Sequence, residues 1–408
     1  MQDVTKYAVG LDIGTDTVKA VVGQIDENTM QPTILGVSTQ KNSGMRKGVV
    51  VNLAGPAKAI DETLGEVERM SGYEVNEATL SINGAHILST KTDGMIAVGT
   101  PDHEINHSDL GRIDDVAATG KIPANREILE LIPYSYRLDG QENIKDPLGM
   151  VGARLEIQAN VISALKPHCQ NVEKAADMAS VKSNKLVVAP IAAARAVLNE
   201  KQLENGVCVI DIGAATTSLA VFEEGDLQFA AVIPIGSNNI TNDLAMGLKT
   251  NPEVAEEVKK NHVNATGGDK KAVVEIKQGK EEFKFKQSEI DEIAGARLEE
   301  IFDYIKKDLT RAGYSGKLPE GIVLTGGGAN LQGIVEYIKQ YLQAATKIGD
   351  PGQFVNVADE VKKPEFAVAV GLMLIDVDTA TRAVSHFSKK SVQAGAGWIK
   401  KLFGKFKV

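Results

Sequence analysis

Tyr7-Ala-Val-Gly-Leu-Asp12-Ile-Gly14-Thr15-Asp-Thr-Val-Lys19-Ala-Val-Val stands near the N-terminus, and Val207-Cys-Val-Ile-Asp211-Ile-Gly213-Ala214-Ala-Thr216-Thr217-Ser-Leu-Ala-Val-Phe repeats its pattern in mid-chain. Each copy is a β-branched run, an Asp-Ile-Gly turn, a small polar patch and a second apolar run. That order predicts a tight β-hairpin whose loop is left open for a ligand. Glycine lets backbone approach closely, hydroxyls and turn N–H groups donate, and the aspartate can hold a hydrated cation. A single Asp-x-Gly turn is commonplace. Two, in equivalent places, predict a polyphosphate clamped between two related domains.

A third element fits the same ligand. Gly321-Ile-Val-Leu-Thr325-Gly326-Gly327-Gly328-Ala-Asn330-Leu331 reads as a buried strand ending in three glycines, followed by a helical stretch to Leu342. Backbone without side chains at a helix start suits a nucleotide pressed against it. The plainer alternative is a bare strand-to-helix turn.

With 408 residues the chain can hold two or more full domains, and 43% hydrophobic residues with 13 prolines indicate a globular protein. Cys169 and Cys208, the two cysteines, sit in apolar runs and fit a reducing compartment. No signal-peptide pattern precedes the first strand, and Arg195 interrupts the most apolar stretch, Leu186 to Leu198, so a membrane span is not expected. A net charge of −9 argues against a general nucleic-acid binder. His103 and His107 are four apart without further ligands in pattern, so no metal is expected there.

The charge is spread unevenly. No acid follows Asp378, whereas Arg382, Lys389, Lys390, Lys400, Lys401, Lys405 and Lys407 do. At 100° per residue, Trp398, Ile399, Leu402, Phe403 and Phe406 share one face of a terminal helix, and lysines including Lys400, Lys401 and Lys405 take much of the rest. This predicts a helix lying in an anionic membrane interface and too short to span it. Trp398, the chain's one tryptophan, suits the headgroup boundary. Each large apolar side chain buried gains roughly 1.5–3 kcal/mol, while ordering the helix costs about 1–2 kcal/mol per residue, so one tail should bind reversibly. Ser385 to Gly397 reads as a tether.

Between these landmarks, strands at Tyr7–Leu11, Val18–Ile25 and Thr33–Ser38 form a meander, and a helix follows Asn52 with Ile60, Leu64 and Val67 on one face. Gly84 to Ile162 reads as a separate small lobe of short strands around a helix at Ser108–Ala118. A helix ends at Ala175–Ser180 and a strand covers Lys185–Pro190. Ile240–Lys317 is helix-rich with a two-stranded patch near Val273–Phe285.

The two hairpins and the glycine-rich strand resemble the actin-like ATPase superfamily. That resemblance implies an α/β fold of two related domains around an ATP cleft. It implies Asp12 and Asp211 near a magnesium ion through water, and Gly14, Thr15, Lys19, Gly213, Ala214 and Thr216 along the phosphates. Gly326, Gly327 and Gly328 would face the adenosine. Glu256 and Lys259, three apart on one helix face, match the family position beside ribose and purine; otherwise they form a solvated face.

Further motifs narrow the resemblance to the FtsA family of bacterial division proteins, over nearly the whole chain. They are Asp146-Pro-Leu-Gly149-Met150-Val-Gly152-Ala-Arg154-Leu155-Glu156, Ile233-Pro-Ile-Gly236-Ser-Asn-Asn-Ile240-Thr241-Asn242-Asp243-Leu-Ala-Met-Gly247-Leu, Phe366-Ala-Val-Ala-Val-Gly371-Leu-Met and the basic amphipathic tail. The expected division is 1–83 with 164–200 as one core domain, 84–163 as an inserted lobe, 201–239 with 318–384 as the second core domain, 240–317 as a second lobe, 385–396 as linker and 397–408 as a membrane-targeting helix. The resemblance implies head-to-tail filaments on the cytoplasmic face of the membrane, docking of the FtsZ C-terminal peptide, and recruitment of later division proteins. In MreB- and DnaK-type relatives a glutamate before the connecting helix's proline positions the attacking water. Here that place is Ala189 before Pro190, which can do neither, so ATP turnover should be slow or conditional. The rival readings are a PilM-like pilus-assembly protein and a small-molecule kinase of the same fold. The tail and Asp146–Glu156 speak against the first, and no motif supplies the second with a base.

Overall fold

The computed structural model describes residues 6–26, 32–100, 102–119, 121–352 and 359–388. The expected amphipathic tail, including Trp398, Ile399, Lys400, Lys401, Leu402, Phe403, Lys405 and Phe406, lies outside the described residues, as does most of the tether.

The first half begins with β1 (Lys6–Ile13), β2 (Thr17–Ile25) and β3 (Pro32–Lys41), then the short pair β4 (Met45–Arg46) and β5 (Val49–Val50), α1 (Ala54–Ser71) and β6 (Glu77–Ile82). Ile60, Leu64 and Val67 of α1 are buried, and the helix stops at Gly72, whose φ of 69° is the left-handed conformation glycine takes without penalty. An inserted lobe follows: β7 (Leu88–Ala97), α2 (His107–Thr119), β8 (Arg126–Leu138), β9 (Gln141–Ile144) and β10 (Arg154–Leu165). Two of its strands are long, not short: β8 has 13 residues and β10 has 12. The chain returns through α3 (Lys166–Met178) and β11 (Lys182–Val188) to α4 (Ala189–Val197) and α5 (Glu200–Asn205). Pro190, expected at a strand end, is instead in the first turn of α4, where its missing N–H costs nothing.

The second half contains β12 (Val207–Ile212), β13 (Thr217–Glu223), β14 (Asp226–Ile233), α6 (Ser237–Gly247), α7 (Pro252–His262), β15 (Val273–Gln278), β16 (Glu281–Lys286), α8 (Gln287–Ala312), β17 (Ile322–Thr325), α9 (Ile334–Leu342) and β18 (Thr346–Ile348). A last helix, α10 (Ala367–Ser388), closes the described chain. Its final four residues fall in the stretch expected as tether.

The two core sheets have the same topology. One runs β11-β6-β1-β2-β3 and the other β18-β17-β12-β13-β14, each an antiparallel meander extended by two parallel strands. Register matters to the site: Asp12 faces Lys19 across the first hairpin, and Asp211 faces Ser218 across the second. The lobe sheet, β7-β10-β8-β9, is a separate layer backed by α2.

One expectation about the halves fails. Residues 367–377, grouped with the second core domain above, pack instead on β1, β2 and β6 of the first and on α4. The reason is steric and polar together. Gly10 of β1 has no Cβ, and one there would collide with the backbone of Ala369 and Met373 in α10. Gly371 likewise lets α10 lie on the backbone of Ala192 in α4. Buried Asp376 then accepts from the Val9 amide (2.9 Å), Thr79 Oγ1 (2.7 Å) and Asn184 Nδ2 (3.0 Å), stitching α10 to β1, β6 and β11.

Candidate functional site

The two hairpin loops close in the same way. The Gly14 amide donates to the Thr17 carbonyl at 3.0 Å, and the Gly213 amide to the Thr216 carbonyl at 2.9 Å. Each loop is then braced from outside. Asn42 Nδ2 donates to the Gly14 carbonyl (2.7 Å), and the Gly48 amide donates to Thr15 Oγ1 (3.0 Å). In the second loop the first-turn amides of α6 donate, Ser237 to the Gly213 carbonyl (2.9 Å) and Asn238 to the Ala214 carbonyl (2.8 Å). Gly236 permits this, because a Cβ there would strike the backbone of residues 213 and 214.

Between the loops is a cleft of about 640 Å³, within the size range of small-ligand sites. Asp12, Gly14, Thr15, Lys19, Asp211, Gly213, Ala214, Thr216, Glu256, Lys259 and Gly326 to Gly328 all line it. Sequence reasoning missed Gly48, Ser81, Asn83, Ser237, Asn238, Asn330 and Glu365 on its walls. A polar pair at the end of a buried strand (Ser81, Asn83) and a helix-start serine after glycine (Ser237) were the available signals.

Two buried carboxyls and one lysine set the electrostatics of the cleft. Burial pushes the Asp12 carboxyl up, against Lys19 at 3.9 Å and a hydrogen bond from Ser81. Burial and then the Asp12 charge push Asp211 up to about 6, with Lys19 and the hydroxyls of Thr325 and Ser218 pulling the other way. Two buried acids, both raised by burial and sharing one lysine, fit a hydrated divalent cation, which would stabilise both charged forms.

Glu256 and Lys259 do not form a solvated face. Lys259 is buried, its Nζ 2.6 Å from Glu256 Oε2 and donating to Thr241 Oγ1 at 2.9 Å, while Thr241 donates to Glu256 at 2.5 Å. Burial lowers the lysine's pKa; for Glu256 burial acts upward, but the Lys259 and Thr241 hydrogen bonds leave it below its ordinary value.

The three glycines have different duties. Cβ atoms on Gly326 or Gly328 would press into Asp211 and Ile212, so these two glycines serve the packing of β17 on β12; Gly327 alone opens to free space. Gly327 and Gly328 begin a short 3-10 turn, Gly327–Asn330, and α9 begins only after Gly333. The expected helix start on the glycines is therefore not present. Phe366 ends a 3-10 turn, Pro364–Phe366, that runs into α10. Ala189 lies in the cleft wall at the start of α4, buried. His103, away from the cleft, hydrogen-bonds Asp109 at 2.9 Å.

The family model "Cell division protein FtsA" matches residues 208–371, and the model "SHS2 domain inserted in FTSA" matches residues 84–163. The cell division protein FtsA of Pseudomonas aeruginosa is 33% identical over 93% of this chain and 91% of its own. Among solved structures, a chain of the PilM–PilN type IV pilus biogenesis complex superposes with a TM-score of 0.65 at 19% identity, covering 91% of this chain and 98% of that one. MreB5 of Spiroplasma citri bound to ADP superposes with a TM-score of 0.56 at 14% identity, covering 95% and 99%. The matched sheets, the cleft between them and these relatives lead to one statement: this chain belongs to the FtsA family of cell division proteins and has the actin-like ATPase fold.

Proposed function

We propose that the protein binds Mg-ATP in the cleft, polymerises head to tail on the inner face of the cytoplasmic membrane, anchors FtsZ filaments there through the FtsZ C-terminal peptide, and recruits later division proteins. The observation that carries the nucleotide part is the convergence of two identically closed hairpin loops, each with an aspartate, on one cleft. Gly14, Thr15, Lys19, Gly213, Ala214 and Thr216 would hold the phosphates. Gly327, Glu256 and Lys259 would stand beside the adenosine, with Gly326 and Gly328 shaping the wall behind it. Asp12 and Asp211 would hold the magnesium through water, and the ion supplies charge neutralisation to the phosphate chain. Apolar Ala189 offers no group to orient water, which supports slow or conditional hydrolysis.

Residues 397–408 supply the membrane contact in this reading, as a basic amphipathic helix. Several weak tails on one rigid filament bind far more tightly than one, so assembly and membrane binding reinforce each other. The test is co-sedimentation of the full chain with anionic vesicles, with and without Mg-ATP and with and without residues 397–408. Vesicle binding that needs both the tail and the nucleotide supports the proposal. Binding independent of the tail overturns the anchor, and a chain with no affinity for Mg-ATP overturns the cleft assignment. Pull-down with an FtsZ C-terminal peptide, repeated with residues 240–317 altered, tests the partner.

A further inference from the structure

The inserted lobe joins the first half through two chain crossings, and one of them begins in the cleft wall. β6 ends at Ile82, Asn83 lines the cleft, and Gly84 to Ile87 lead directly into β7. This neck touches the second hairpin loop directly and reaches the first through Gly48. Asn83 Nδ2 donates to Thr216 Oγ1 at 3.2 Å, a contact that crosses from the first half to the second. Gly84, at φ 124°, lies against Gly48, whose amide holds Thr15 Oγ1; a Cβ on Gly48 would meet both Gly84 and the Thr216 methyl.

The neck is rigid on its other side. The His86 ring stacks on His168 of α3 with centroids 4.4 Å apart. Arg126 of β8 donates to the His86 carbonyl, to Ser163 Oγ (2.9 Å) and to the Ser163 carbonyl (2.8 Å) in β10. These contacts tie the neck that follows Asn83 to α3, β8 and β10.

We propose that Asn83 senses the terminal phosphate: its amide donates to the Thr216 hydroxyl when the bound nucleotide is a diphosphate and to a terminal phosphate oxygen when it is a triphosphate, and the neck passes that exchange to the inserted lobe. This rests on the nucleotide reading above and assigns a residue and a route within it. The physical warrant is the choice of acceptors. A hydrogen bond to a charged oxygen is roughly twice as strong as one to a neutral hydroxyl, so an amide at this position prefers phosphate when phosphate is present. Thr216, itself expected beside the phosphates, is the partner that phosphate would compete with.

The test uses the full-length chain with ADP and a non-hydrolysable ATP analogue as probes, reading affinity by calorimetry and lobe mobility by amide hydrogen exchange. Asn83→Ala is expected to lose about tenfold in affinity for the ATP analogue, the equivalent of one hydrogen bond, and to keep its affinity for ADP. The wild type should show different exchange in residues 84–97 and 126–138 with the two probes, and the variant should not. Asn83→Asp, close in size but repelled by phosphate, should lose still more of the ATP analogue, which guards against a folding effect of the alanine. Equal loss for both probes, or undiminished preference for the ATP analogue in both variants, overturns the proposal while leaving the nucleotide site standing. A wild-type chain that binds neither probe overturns the site and the proposal together.

Discussion

Asp12 and Asp211 occupy the same place in two hairpins of the same topology, yet they face different partners. Across its hairpin Asp12 meets Lys19, a cation in the cleft; Asp211 meets Ser218 and is served by hydroxyls, including Thr325 Oγ1 at 3.3 Å. Two positions earlier in each strand the halves differ again, with Gly10 in the first and Val209 in the second. The glycine is there because α10 crosses β1 in contact with its backbone; Val209 is fully buried among side chains that can take its two methyl groups. A duplicated backbone solution has thus kept its loop geometry and diverged wherever the neighbours differ. The lesson is that the motif fixes where groups stand, and the surroundings fix their charge and size.

Making the first half like the second at position 10 should do the most damage. Gly10→Val drives a branched side chain into the α10 backbone, which cannot rotate away, and is expected to cost about 3–5 kcal/mol in urea unfolding. Loss of under 1 kcal/mol would show that α10 does not rest on β1 as described. Next in size is the aspartate that no lysine faces across its hairpin. The Asp211 carboxyl has a folded pKa raised from 3.8 to about 6, so the folded protein holds its proton more tightly than the unfolded chain. Ligand-free stability should therefore fall as pH rises from about 4 to about 6 and stay level above. Asp211→Asn, neutral at every pH, should match the wild type below pH 4 and exceed it by up to about 3 kcal/mol at pH 7.5. A variant no more stable at pH 7.5, by thermal melting without divalent cations, would refute that electrostatic picture.

Lys19→Met sharpens the contrast from the other side. Removing the shared cation is expected to weaken nucleotide binding by about 10- to 100-fold, the value of a charge-assisted hydrogen bond, and to lower the melting temperature at neutral pH, because two buried carboxylates lose the charge that offsets them. The smallest effect should come from Thr325→Val. Its hydroxyl helps hold Asp211 ionised, so its loss should shift divalent-dependent binding to slightly higher pH and cost about 0.5–1 kcal/mol of stability. Isothermal titration across pH 5–8 reads both variants.

Much of the site was legible because its residues are local in sequence. Each Asp-Ile-Gly turn carries its loop, its aspartate and its neighbouring strand within a dozen positions, so periodicity and turn chemistry suffice. The Glu256–Lys259 pair was legible as a spacing, but not as a buried, hydrogen-bonded pair, since Thr241 comes from another helix. The Gly326–Gly328 run was read as one nucleotide platform, whereas two of its members answer to Ile212 on the adjoining strand. Asn83 and Gly48 were passed over altogether. A polar residue at a strand end is a weak signal for Asn83 and none marks Gly48; both gain their place only when the neck meets Thr216.

Two like halves, two aspartate-bearing loops and the intervening lobes follow from local residue order, because strand and turn propensities act over a few residues. Long-range packing set α10 on the strands of the first half and the lobe's neck against Thr216 and Gly48. It alone also set the unequal charge environments of Asp12 and Asp211. Such contacts join residues far apart in the chain, and their energies depend on burial and distance, which no local pattern records.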